Sequence, residues 1–167
     1  MDPDGPCADP DEHVRLAHHR RALAGAAPQD AASVVARVLA DPDPAMASGA
    51  VGEYLDRRAA GLLTSPEFPD WIRELTAAAA ADGFAVRRLR EWALLRAMTL
   101  GEPWEEERLR TASNWLQLRA AGTCPATACL TVLAEGGRTR RIRTLAAGRL
   151  GNAERPGGGA TSPSARP

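Results

Sequence analysis

Apolar residues recur along this chain at intervals of three and four, and no stretch alternates convincingly between apolar and polar positions. That period predicts amphipathic helices and no sheet. Breaks at proline, glycine and aspartate divide the pattern into eight predicted helices. Asp9 as N-cap and Pro10 at the first helical position start the first, which runs to about Ala24 before Gly25. The second spans about 29–40, with Val34, Val35, Val38 and Leu39 on one face. Asp43-Pro44 opens the third, whose stripe is Met46, Ala50, Tyr54 and Leu55. The fourth covers about 70–81 and ends at Gly83, and the fifth covers about 84–99 with Leu89, Trp92, Ala93 and Met98. The sixth is predicted over 103–120, with Glu105, Glu106 and Glu107 at the positive end of its dipole. The seventh and eighth follow over about 126–135 and 138–150, separated by Gly136-Gly137. Residues 1–8 read as a flexible leader, 9–150 as one helical domain, and 151–167 as a disordered tail of Gly, Pro, Ser and Ala.

Composition strengthens the helical reading. Alanine, the best helix former, supplies much of the apolar content of the 167 residues, and aromatic residues make up only 4%. All 21 basic residues are arginine, which fits a GC-rich coding bias and weakens any argument from arginine abundance alone. They balance 21 acids, so no net field draws the chain to nucleic acid or to an anionic membrane. No apolar run approaches the ~20 residues needed to cross a bilayer. The acidic, polar start is unlike a signal peptide and predicts a cytoplasmic protein. Cys7, Cys124 and Cys129 are odd in number and lack the Cys-x-x-Cys spacing of zinc sites; buried or incidental thiols are the expectation.

Two stretches share a local pattern. Residues 88–96 read Arg-Leu-Arg-Glu-Trp-Ala-Leu-Leu-Arg, and residues 141–149 read Arg-Ile-Arg-Thr-Leu-Ala-Ala-Gly-Arg. Both fit Arg-(Leu/Ile)-Arg-x-x-Ala-x-x-Arg. Met46 and Ala50 fit it more loosely, without the arginines. Val38-Leu39-Ala40-Asp41 also matches Val132-Leu133-Ala134-Glu135, each a helix end running into an acidic turn. This resembles the HEAT repeat, in which two antiparallel helices are joined by an acidic turn and a small residue marks the closest crossing. The resemblance implies an all-α, HEAT-like solenoid of about eight helices. It assigns Met46, Leu89 and Ile142 to the aliphatic position, Ala50, Ala93 and Ala146 to the crossing, and Arg90 and Arg143 to bonds with a neighbouring turn, with Asp41 or Glu135 as the partner type. Met46 and Leu89 are 43 residues apart, within the ~40–47 of such repeats, whereas Leu89 and Ile142 are 53 apart. The sixth predicted helix accounts for the excess, leaving one irregular unit.

Candidate chemistry is sparse. His13, His18 and His19 share a helix at spacings that place them on different faces, so no metal site is expected. No nucleophile elbow, phosphate-cradling loop or dinucleotide fingerprint occurs, and neither a catalytic residue nor a cofactor is assigned. Of the four tryptophans, Trp71, Trp92 and Trp115 read as packing, while Trp104 after Pro103 is the one expected to meet a partner. Arg138, Arg140, Arg141 and Arg143 cluster in the last helix; Arg140, Arg141 and Arg87 are the arginines proposed for docking.

These features predict a non-catalytic helical scaffold that binds a protein partner through a concave or arginine-bearing surface lined by the third, fifth and eighth predicted helices. Nucleic-acid binding or alkylated-base excision is the alternative. HEAT-like DNA glycosylases use tryptophans, an aspartate and arginines, for which Asp70, Trp71 and the arginines of the fifth and eighth predicted helices are the counterparts. The short repeat array and the neutral charge weigh against that alternative. A third reading, an accessory biosynthetic enzyme with a pocket between helices, has no residue pattern in its favour.

Overall fold

A computed structural model describes residues 11–153. Within them all regular structure is helical: α1 (Glu12–Gly25), a short 3-10 turn (Pro28–Asp30), α2 (Ala31–Leu39), α3 (Pro44–Leu62), α4 (Phe68–Ala78), α5 (Gly83–Leu100), α6 (Glu106–Arg110), α7 (Asn114–Thr123), α8 (Thr127–Gly136) and α9 (Arg140–Ala153). None of these helices is long and apolar enough to cross a membrane. The proposed leader (1–8), Cys7, Asp9, Pro10 and the tail from residue 154 lie outside the described residues. The span read as one helical domain forms two compact units, divided between Arg96 and Ala97.

In the first unit α1 packs on α3, α2 on α4, and both α1 and α3 on α2. Neighbours therefore pair, and next-but-one helices stack. Val34, Val35 and Val38 of α2 are buried, as are Leu55, Ala47, Ala50 and Ala59 of α3 and Leu75 of α4, the helices on which α2 packs. Asp11, not Asp9, caps α1, its carboxylate accepting the His13 N–H at 2.8 Å. Asp43 caps α3 as its Asp-Pro pair predicts, accepting from Ala45 and Met46. Pro69 falls in the first turn of α4, so that helix begins at Phe68 and is over by Ala78. Asp82 then caps α5 through the Ala85 N–H at 2.7 Å, and Gly83 opens α5 instead of ending α4.

Buried Asp41 and half-buried Asp82 and Asp56 tie these elements to helices elsewhere in the unit. Asp41, between α2 and α3, accepts a 2.7 Å hydrogen bond from His19 of α1 and one from the Asp43 N–H, with Arg15 at 3.5 Å. His19 and Asp41 are 2% and 8% exposed, so this pair sits out of water. Burial pushes the Asp41 carboxyl up, but the Asp43 N–H, His19 and Arg15 outweigh it and hold it below the usual range. Asp82, between α4 and α5, is hydrogen-bonded to Ser48 of α3. Asp56 of α3 accepts from the Trp92 indole at 2.9 Å and from Arg88 at 3.2 Å on α5. Arg96 donates to the Leu63 and Ser65 carbonyls that follow α3.

Helix α5 ends at Gly101, whose φ of 70° needs glycine, and the Glu102 N–H returns to the Ala97 carbonyl. In the second unit α6 packs on α8, α7 on α9, and α8 on both α7 and α9. The predicted helix over 103–120 is two helices, broken at Thr111–Ser113. Ser113 caps α7 through the Leu116 N–H. The fully buried Gln117 side chain explains why the break is stable. Its amide donates to the Leu109 and Arg110 carbonyls at 2.9 Å, satisfying the end of α6. Its oxygen accepts the Arg138 N–H at 2.8 Å, between α8 and α9. Gly137 lies so close to the Leu133 carbonyl that an added Cβ would stand 2.6 Å from it, so glycine is required there on contact grounds. Helix α9 runs to Ala153, past the Gly151 at which the pattern placed its end.

Replacing Asp41 with alanine strands His19 and Arg15 and is expected to cost about 3–5 kcal/mol in urea unfolding at pH 7. Because the folded-state pKa of Asp41 is depressed, its contribution is present above about pH 4 and fades as pH falls further. The acid limb of D41A should accordingly be shallower than that of the wild type. Gln117→Leu leaves the Arg110 carbonyl and the Arg138 N–H without partners and the Leu109 carbonyl with the Ala112 N–H alone, and should cost about 2–4 kcal/mol. A loss below half a kcal/mol in either variant would show these contacts to be incidental.

Candidate functional site

A cleft of about 310 Å³ lies in the first unit. The end of α1 contributes Leu23 and Ala24, the following turn Ala26 and Pro28, the start of α2 Ala31, and α4 Trp71. The remaining wall is one face of α3: Tyr54, Arg57, Arg58 and Gly61, at positions i, i+3, i+4 and i+7. Leu23, Ala31 and Trp71 are buried, and Tyr54 and Arg58 are half-buried. Among the described residues neither Arg57 nor Arg58 stands within ion-pair distance of a carboxylate. The nearby Glu53 is held by Arg20 through two hydrogen bonds, which pull its carboxyl below the usual range against the effect of burial, with a smaller pull from Arg57. The Trp71 indole nitrogen is shielded from water and has no hydrogen-bond partner. A separate groove of about 400 Å³ between α4 and α5 is floored by Ile72, Leu89 and Ala93 and edged by Arg73 and Arg90.

The helix caps set the register of the three repeat-like helices. Asp43, Asp82 and Thr139 each accept the N–H three residues on, from Met46, Ala85 and Ile142. In that register Ala50 corresponds to Leu89 and Ala146, all at most 1% exposed. Ala93 is half-buried and lines the α4–α5 groove. Arg90 is exposed there, and Arg143 donates to the Gly137 carbonyl of the turn before its own helix. Asp41 bonds to His19 and Arg15 of α1.

The docking candidates are divided between the two units. Arg140 and Arg141 are adjacent and exposed on α9, Trp104 is half-buried in the second unit, and Arg87 is exposed in the first, 5.8 Å from the Phe84 ring. Arg138 and Arg149 donate to the Ala112 and Ala121 carbonyls. Of the pair Asp70-Trp71, Asp70 is exposed and bridged to Arg73, while Trp71 is buried. Sequence reasoning missed the α1–α4 cleft. Its one visible signal is the pair Arg57-Arg58 beside Tyr54 on the stripe side of an alanine-rich helix.

Cys124 and Cys129, both fully buried in the second unit, are hydrogen-bonded to each other. Cys124 ends α7 in extended conformation just before α8. The Cys129 thiol, the Ala126 N–H and the Arg149 guanidinium favour its thiolate and, against burial, bring its pKa from 9.0 down to about 7. The Cys129 thiol is pushed up in turn by that hydrogen bond and by burial, so the pair ionises as one unit. Among the described residues no group of histidine, cysteine and carboxylate side chains is arranged to hold a metal ion.

No protein-family model matches this chain, and no match emerges among the curated proteins or the solved structures.

The Cys124 thiolate has a pH signature. A depressed folded-state pKa adds stability above the unfolded value near 9 and loses it as pH falls towards 7. Raised Cys129 acts in the opposite sense, but only above about pH 9, where the unfolded thiol ionises. Stability should therefore rise from pH 7 to 8.5, with a slope of at most about 1.4 kcal/mol per unit from this group. Cys129→Ala removes the donor and should flatten the rise. Parallel profiles for the two proteins in urea unfolding would rule the thiolate out.

Proposed function

We propose that this chain is a non-catalytic helical scaffold of HEAT-like kind that holds a protein partner through the arginine-bearing face of α9. One observation carries the reading. Arg138, Arg143 and Arg149 each donate a guanidinium N–H to a backbone carbonyl of the second unit, whereas Arg140 and Arg141 are exposed. Beside them Leu145, four residues from Arg141, is 37% exposed. Arginines next to an exposed aliphatic side chain are the composition expected of a partner surface. The pairing of adjacent helices and stacking of next-but-one helices within each unit supports the repeat-like character.

A photo-crosslinking residue at Leu145 of the full chain, expressed in its native cells, should capture one discrete protein. Arg140→Glu with Arg141→Glu should reduce that product at least about tenfold, a loss of about 1.4 kcal/mol or more in affinity. Absence of a discrete product, or one indifferent to the charge reversal, would overturn the proposal.

A further inference from the structure

The α1–α4 cleft has a composition that the scaffold reading does not require. Helix α3 turns toward three neighbouring helices there, where an apolar stripe would close the space. Instead it presents Tyr54, Arg57, Arg58 and Gly61. An alanine-rich helix with a leucine at each of these places would have filled the cavity, and the absent side chain at Gly61 keeps it open: a Cβ built there meets no atom within 4 Å. Opposite stand hydrocarbon, from Leu23 and Ala31, and the Trp71 ring.

From this juxtaposition we infer that the cleft is a binding site for a small carboxylate with an apolar or aromatic body. Guanidinium groups match a planar carboxylate in shape and charge, and Arg57 and Arg58 lie on the same wall with a phenol hydroxyl beside them. Glu53, the nearest acid on that face, is already clamped by Arg20. Glu67, Asp70 and Glu74 border a neighbouring hollow that shares Arg58 and Trp71, so the far side repels a second negative group and favours a ligand with one. The apolar body seats against Leu23 and the indole. Trp71 is 8% exposed with an unpaired N–H, a donor that forfeits a hydrogen bond until an acceptor reaches it. A volume of about 310 Å³ lies at the small end of ligand cavities, which run from about 300 to 1,000 Å³, and admits a body of about one or two aromatic rings.

Phenylacetate serves as the probe, with acetate lacking the body and 2-phenylethanol lacking the charge. The full chain, labelled with 15N, reports through its four tryptophan indole signals, and Trp71→Phe identifies the one in the cleft. Phenylacetate should move the Trp71 signal saturably at millimolar concentration or below, with both comparators at least about tenfold weaker. Arg57→Gln with Arg58→Gln should erase the preference for phenylacetate over 2-phenylethanol. Gly61→Leu should fold at least as well as the wild type, since it replaces a glycine of the last turn of α3 in open space, and should abolish binding. An unmoved Trp71 signal, equal binding of the charged and uncharged probes, or undiminished binding in Gly61→Leu would each overturn the site. None of these outcomes bears on the α9 face.

Discussion

The constraint on which the rest depends is that turns between these helices set individual polar groups against other helices, where those groups need partners. A helix end leaves backbone N–H and C=O groups unpaired, and covering one without a substitute costs about 1–3 kcal/mol. The chain meets this with side chains drawn from the next-but-one helix. Asp41 of the α2–α3 turn finds His19 of α1, and Asp82 of the α4–α5 turn finds Ser48 of α3. The Arg138 N–H of the α8–α9 turn finds Gln117 of α7. Each link joins the helices that stack, so capping a turn and setting the spacing of a layer are one act. Where the core is alanine such links weigh more, because each buried alanine removes little apolar surface from water.

Arginine does the complementary work. Carbonyls at helix C-termini carry partial negative charge, and a long cationic side chain can reach them from a neighbour. Arg96, Arg138, Arg143 and Arg149 all donate to carbonyls at or near helix ends. In a chain without lysine, arginine abundance says nothing about function until these structural uses are set aside. What is left includes Arg140 and Arg141 on α9 and Arg57 and Arg58 in the cleft, with Arg37, Arg87, Arg90 and Arg108 exposed elsewhere.

Helix existence was legible because it rests on local signals. Asp43-Pro44 caps α3 as the dipeptide implies, and the valines of α2 point to one buried face. The break in the predicted helix over 103–120 was not legible. Thr111-Ala112-Ser113 contains no glycine or proline, and the break is stabilised by Gln117 reaching back to α6 and across to the α8–α9 turn. That partnership is tertiary, and a glutamine on an apolar stripe gives no sign of it. The repeat register shows the same limit. Matching Arg-Leu-Arg with Arg-Ile-Arg set Ala93 against Ala146, whereas the caps set Leu89 there. Side-chain identity in an alanine-rich helix recurs too often to fix register, while a cap occurs once per helix.

The cleft was hidden for a related reason. Tyr54 belongs to the apolar stripe of α3 by spacing, and Arg57-Arg58 reads as the polar edge of that stripe, so periodicity alone predicts a filled contact. Whether a helix face is filled depends on what faces it. Here the partners are the ends of α1 and α2, where Ala24, Ala26 and Ala31 are too short to reach across, together with Trp71, whose ring occupies one side only. A void lined by alanines alone would tend to collapse, since packing recovers the lost dispersion contacts. Charged groups resist that collapse, because drawing Arg57 and Arg58 into a dry contact would cost their hydration. The same arginines that make the face look like an ordinary solvated edge are thus what keeps the space beneath it open.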